Sequence, residues 1–231
     1  MQPTAETLTG IDLFQDLDAD DRGTIARRCT LHRFARNRVV VRVQDKTNDV
    51  YFLVSGLVRA TMFSVSGKEV AFRDLGSGEV FGDLAAIDGM PRSSSIVALQ
   101  DSLILSMSSD VFWEMMKTYP SVATAELKRL TALIRLLSER VFEFSTLGVR
   151  NRIHAELLRL AQDHLLGDNT AKISPAPKHA DVASRISTHR EAVTRELNHL
   201  EHSGLIERSS GAIVIRDMAR LSKIVKEVKG A

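Results

Sequence analysis

Residues 81–95 read Phe81-Gly82-Asp83-Leu84-Ala85-Ala86-Ile87-Asp88-Gly89-Met90-Pro91-Arg92-Ser93-Ser94-Ser95. Gly82 lets backbone amide approach a ligand closely, and the short helical turn that follows has free N–H groups suited to an anion. An acid then stands nine residues before an arginine. Arg92, with hydroxyls just after it, can grip a phosphate through a bidentate fork. Asp83 cannot serve a phosphate and suits sugar hydroxyls instead. The plain alternative is a salt bridge between Asp83 and Arg92 across a loop.

Outward from this segment lie short β-rich runs at residues 32–34, 38–43, 50–55, 57–64, 69–75, 95–98 and 102–106. Turn signals separate them: Lys46-Thr47-Asn48-Asp49, Ser55-Gly56, Ser66-Gly67-Lys68 and Gly76-Ser77-Gly78. Close spacing without intervening helices predicts an antiparallel sandwich or barrel and argues against a parallel nucleotide fold. After Pro120 about 25 residues run without Gly or Pro, as one long helix. Its Leu127, Leu130, Ile134, Leu137, Val141 and Phe144 are spaced 3, 4, 3, 4, 3, a heptad seam. A second apolar edge of Ala132, Leu133 and Leu136 suggests that the helix packs on its own sandwich and on a partner copy. Ser145-Thr146-Leu147-Gly148 ends the helix, with Gly148 as hinge.

Beyond the hinge the pattern predicts an amphipathic helix over about 149–166 and a polar loop, Gly167-Asp168-Asn169-Thr170. Two short helices follow, 179–185 and 188–203, separated by a tight turn at Ile186-Ser187. Residues 204–215 form two strands around a Ser-Ser-Gly turn, a β-wing. Helix, turn, helix and wing make a DNA-binding arrangement. Ala183, Ile186, Val193 and Leu197 have the spacing to pack the two helices together. That leaves His189, Arg190, Glu191, Thr194 and Arg195 pointing away. An arginine fork reads guanine and a carboxylate accepts from cytosine N4, so this face is chemically a G and C reader.

Charge supports the division. Residues 1–148 hold 17 basic and 19 acidic side chains, whereas residues 149–231 hold 14 and 10, with six of the seven histidines. A basic second half fits a polyanion. Within 231 residues, 44% apolar and 26% charged side chains describe a globular chain, not a disordered or collagen-like one. No apolar run reaches the roughly 18 residues of a membrane span, and residues 1–10 carry no secretion signal, so the expected place is the cytoplasm with no membrane partner. Cys29 stands alone, which disfavours disulfides, iron–sulfur clusters and Cys-based zinc sites. No hydrolase triad, zinc spacing or phosphate-binding Walker loop is legible, so the chain is not expected to be an enzyme.

Phe-Gly-acid-Leu-Ala followed by Gly-x-Pro-Arg-Ser resembles the phosphate-binding cassette of cyclic-nucleotide-binding domains. Such domains occur in the cyclic-AMP receptor protein (CRP/FNR) family of bacterial transcription regulators and in kinase regulatory subunits. The ten-residue step from Gly82 to Arg92 and the Pro before Arg are specific features, and Tyr51-Phe52-Leu53-Val54-Ser55-Gly56 is similar to the family's strand-turn. The resemblance covers about residues 11–221. It implies an α+β architecture: a β-roll over 1–120, a dimerisation helix and hinge over 121–148, and a winged helix-turn-helix over 149–231.

Carried over residue by residue, the resemblance implies a ligand site at Gly82, Asp83, Leu84, Ala85, Arg92, Ser93, Leu137 and Ser138. Asp83 would take the ribose, Arg92 the phosphate with Ser93, and Leu137-Ser138 the base. Asp83 is one methylene shorter than the family's usual Glu, and Leu137 stands where cyclic-AMP regulators place a threonine. Cyclic AMP is the first expectation, with cyclic GMP and a lost or altered ligand open. Arg92→Leu is expected to abolish binding and leave the fold intact.

The same resemblance implies recognition of TGTGA half-sites by Arg190, Glu191 and Arg195. Lys178, His179, His189, Arg208, Ser209 and Ser210 would meet phosphates, with Thr194 on the reading face. Two histidines there predict tighter binding as pH falls through 7. The expected partners are double-stranded DNA, a second copy of the chain and RNA polymerase, the last by family position at residues 167–172. The rivals are a regulator of the same fold that answers another effector or none, and a nucleotide-binding regulatory subunit of an enzyme.

Overall fold

The computed structural model describes residues 2–65, 67, 69–167, 169–209 and 211–229. Ser66, Lys68, Asp168 and Ser210, named above in turns, loop and wing, lie outside the described residues. The chain divides into two compact units, residues 1–134 and 135–231.

The first unit opens with α1 (Ala5–Thr9), a 3₁₀ turn at Asp12–Phe14 and α2 (Ala19–Ala26). Asp18 caps α2 by accepting from the Asp21 amide at 2.8 Å. Then come β1 (Thr30–Phe34), β2 (Val39–Val41), β3 (Val50–Ser55), β4 (Leu57–Phe63), β5 (Glu69–Gly76) and β6 (Val80–Phe81). They are followed by α3 (Asp83–Asp88), β7 (Ser95–Ala98), β8 (Ser102–Met107), α4 (Ser109–Thr118) and α5 (Pro120–Thr146). The strands make two four-stranded antiparallel sheets, ordered β1-β8-β3-β6 and β2-β7-β4-β5. This is the β-roll. The β3–β4 turn depends on Gly56, φ +106°, where an added Cβ would stand 2.4 Å from Ser102 Oγ and 2.7 Å from the Asp101 carbonyl.

Alternating apolar positions face inward from both sheets. Val41, Leu53, Val58, Leu75, Phe81, Ile96 and Ile104 fill the space between them, while Phe14, Phe52, Leu105, Met107 and Phe112 join the outer sheet to the helices. Cys29 is buried there, and burial pushes its thiol up to about 12, which leaves it protonated and unreactive. Pro120 opens α5, where its missing N–H costs nothing.

The second unit holds the end of α5, then α6 (Val149–Ala161), β9 (Ala171–Ile173), α7 (His179–Arg185), α8 (Arg190–His202), β10 (Ile206–Ser209), β11 (Ala212–Ile215) and α9 (Met218–Lys229). The helix expected to reach 166 stops at Ala161 and continues as a 3₁₀ turn, Gln162–His164. Its polar loop is followed by β9, a strand that no run of sequence announced, which pairs with β11 as Ala171 opposite Ile215. Gly148 has φ −64° and ψ 159°, ordinary extended backbone, and caps α6. Leu157, Val182, Ile186, Val193, Leu197, Leu200 and Ile213 form this unit's own core. Among the described residues no helix is long and apolar enough to cross a membrane.

Candidate ligand cleft and DNA-reading face

β6 leads through Gly82 into α3, and the loop after α3 brings Arg92 back beside it. Gly82 has φ +80°, and a Cβ there would meet Arg92 Nη1 at 2.7 Å and the Asp49 carbonyl at 2.9 Å, so only glycine fits. Arg92 is 2% exposed. It donates through Nη1 to the Gly82 carbonyl at 2.8 Å, through Nη2 to the Asp49 carbonyl at 2.9 Å and through Nε to Thr47 Oγ1 at 3.1 Å. Its guanidinium lies 5.5 Å from the Tyr51 ring centre, and Tyr51 in turn stacks on Phe81. Three of five N–H donors are thus spent on the loop, which leaves two for a ligand.

Gly82, Phe81 and Arg92 line a cleft with Arg73, Asp83, Leu84, Ala85, Ser93, Arg129 and Leu133 on its walls. Ser93 and Leu84 are exposed on its rim, and Ala85 is buried. Leu137 and Ser138, expected to meet the base, lie further along α5, both exposed and neither among the lining residues.

The salt bridge weighed between Asp83 and Arg92 is not among the described ion pairs. Asp83, 4% exposed, pairs instead with Arg129 of α5, which also donates to the buried Glu126 at 2.9 and 2.7 Å. Burial first and the neighbouring Glu126 second raise the Asp83 pKa, against the opposing charge of Arg129. For Arg129, burial works against the charge, but bonds to Glu126 and Asp83 outweigh it and hold the cation charged. Arg73 is likewise engaged, by Glu79. Around the cleft, then, Arg73 and Arg129 have carboxylate partners, whereas the described partners of Arg92 are neutral oxygens. An anion entering the cleft meets the field of Arg92. Sequence reasoning missed Arg73, Arg129, Thr47 and Tyr51, because nothing local marks them.

In the second unit, Ala183, Ile186, Val193 and Leu197 are all buried, as their spacing predicts. The turn between α7 and α8 closes with Ser187 at φ +52° and Thr188 N–H donating to the Ala183 carbonyl at 2.9 Å. Arg190, Glu191 and Arg195 are exposed on one face of α8, His189 is exposed at its N-cap position, and Lys178 and Ser209 are exposed before α7 and in the wing. Thr194 turns back, donating to the Arg190 carbonyl at 3.0 Å and lying 2.7 Å from His179 Nδ1. It therefore positions His179 as well as lining the face. Arg208 is held by Glu201 of α8, with Nε to Oε2 at 2.9 Å, and by Asn198 at 2.8 Å, so a phosphate must compete for it.

Burial, then Arg208 and Arg190, lower the pKa of His179 below 6.5. A phosphate would stabilise its charged form, so the complex would bind more protons than the free protein and affinity would rise as pH falls. The free imidazole titrates below its ordinary value, and the rise is expected to continue below pH 6.5 rather than finish near 7. His179→Gln should flatten the gradient between pH 7 and 5.5 in fluorescence-anisotropy titrations; an unaltered gradient would remove His179 from the interface.

Residues 31–119 match the family model of the cyclic nucleotide-binding domain, and residues 151–224 match that of the Crp-like helix-turn-helix domain. The chain is 31% identical over 184 residues to a cyclic AMP receptor protein of Thermus thermophilus, covering 78% of this chain and 81% of that one. It is 22% identical to a CRP-like cAMP-activated global transcriptional regulator of Mycobacterium tuberculosis, over 94% of this chain and 98% of the other. In architecture it is similar to a CooA variant from Carboxydothermus hydrogenoformans, with a TM-score of 0.82, 20% identity and coverage of 95% and 99%.

Proposed function

Since this chain belongs to the CRP/FNR family of transcription regulators, we propose that it acts as a homodimer in which a cyclic nucleotide, cyclic AMP first, governs the reading of a two-fold DNA site. The family is one of regulators rather than enzymes. The observation that carries the effector reading is Arg92, a buried guanidinium with neutral described partners and two donors left, facing a cleft beside Gly82 and Ser93. In this reading residues 1–120 sense the effector, 121–148 join two copies and 149–231 read DNA, with RNA polymerase as the further partner.

A second reading, a ligand other than cyclic AMP, is favoured by two features. The Asp83 carboxylate that a ribose would need is occupied by Arg129, and Leu137 offers the base no hydrogen bond. Calorimetric titration with cyclic AMP and with cyclic GMP separates these readings. Heat from neither would refute both cyclic nucleotides.

The DNA reading rests on the exposed Arg190, Glu191 and Arg195. Two symmetry-related α8 helices entering successive major grooves require two-fold half-sites with centres about one helical turn apart, and the family resemblance implies that these half-sites are similar to TGTGA. Losing Arg190 should cost about 1–3 kcal/mol and relax preference at one base pair. Losing Lys178 should weaken binding to all sequences and flatten the salt dependence. Selection from random duplexes with and without cyclic AMP is the test, and recovery of no two-fold G/C-centred motif in either condition would sink the assignment.

A further inference from the structure

Behind the DNA-reading face, the second unit contains a buried ion cluster that recognition of DNA does not use. Glu156 of α6, 1% exposed, receives three arginines: Arg140 Nη2 at 3.3 Å, Arg185 Nη1 at 3.1 Å, and Arg159. Arg159 also forks onto Glu143 at 3.0 and 2.9 Å. Arg140 and Glu143 belong to the last two turns of α5, whereas Arg185 is the final residue of α7. Arg140 joins these elements, because its Nη2 meets Glu156 of α6 and its Nη1 donates to the Arg185 backbone carbonyl at 2.8 Å.

That carbonyl sits at the end of α7, where helix carbonyls lose their intrahelical donors. The chain turns immediately after it. Ser187 takes a left-handed conformation that a residue with a side chain adopts only where its surroundings enforce it, and His189 then caps α8. Arg140 is 8% exposed, and its Nε is buried without a hydrogen-bond partner.

We propose that Arg140 is a positioning residue for DNA recognition: through the Arg185 carbonyl and Glu156 it fixes the turn from which α8 starts, so the end of the long helix sets where the reading face begins. The proposal rests on the second unit being the sequence reader. Arg140 touches no base or phosphate in this scheme; it acts through the turn.

The test uses the full-length protein, with Arg140→Met and Arg140→Lys. Hydrogen exchange at the Ile186 and Thr188 amides should quicken about tenfold or more in Arg140→Met, since a charge-assisted bond is lost. Exchange at Ile213 and Ile215 in the wing strand should keep its wild-type rate. Preference for the selected palindrome over a random duplex should fall about tenfold while affinity for the random duplex holds, and Arg140→Lys should restore part of both. Wild-type exchange at the turn, or equal loss on both duplexes, would overturn the proposal. Should Arg140→Met not fold, Arg140→Lys decides it: wild-type exchange at Ile186 and Thr188 in that variant refutes the role. A wild-type protein that prefers no duplex would refute the DNA reading, and the exchange measurement still decides the hold of Arg140 on the turn.

Discussion

Replacing Arg92 with leucine is expected to abolish cyclic-nucleotide binding and to lower the melting temperature of the first unit together. The binding loss follows from the fork: a charged bidentate contact to phosphate contributes about 1.5–3 kcal/mol per hydrogen bond, so affinity should drop at least about a hundredfold. The stability loss was not legible beforehand. Sequence alone predicts an intact fold, but Arg92 also satisfies the Gly82 and Asp49 carbonyls and Thr47. Leaving these half-buried carbonyls unpaired costs at most about 1–3 kcal/mol each, which corresponds to a drop of a few degrees in a unit of this size. Arg92→Lys keeps a charge but loses the fork, and should bind weakly while unfolding closer to wild type. Isothermal calorimetry beside differential scanning calorimetry reads both effects. Wild-type affinity in Arg92→Leu would place the phosphate elsewhere.

The second large effect is expected from Ile134→Glu combined with Leu137→Glu: the dimer should dissociate. On the single chain Leu127 is 64% exposed, Ile134 64% and Val141 65%, with Leu137 and Phe144 also exposed at the same heptad spacing. So long an apolar strip on one helix is unusual for a solvated surface and suits a parallel copy of itself. In a dimer the double variant would bury four carboxylates at a seam without cations, at several kcal/mol. Because these side chains touch solvent in the separate chain, the variant should still fold. Sedimentation velocity should then show monomers with an unchanged far-ultraviolet spectrum, and a surviving dimer would mean that another surface makes the interface.

The sequence by itself determined the parts that local chemistry dictates. β3 and β7 run over the residues their patterns predict, because period-two alternation ends at turn residues such as Ser55-Gly56. The long helix follows from an uninterrupted heptad after Pro120, and the packing of α7 on α8 from the spacing of Ala183, Ile186, Val193 and Leu197. Gly82 and Arg92 stood out for the same reason, since a glycine and an arginine ten residues on lie in one short segment of the chain.

Only the tertiary structure decided which charges meet. Asp83 and Arg129 are 46 residues apart in the chain, Arg140 and the Arg185 carbonyl 45. Nothing near either partner marks the other, because an ion pair needs two side chains within a few ångströms and the fold alone brings them there. The same holds for β9, three residues long, which has too few positions to show a period and exists because β11 offers it an unpaired edge. It holds too for Arg208, which the resemblance set against a phosphate but whose described partners are Glu201 and Asn198, brought within reach when the wing folds back onto α8.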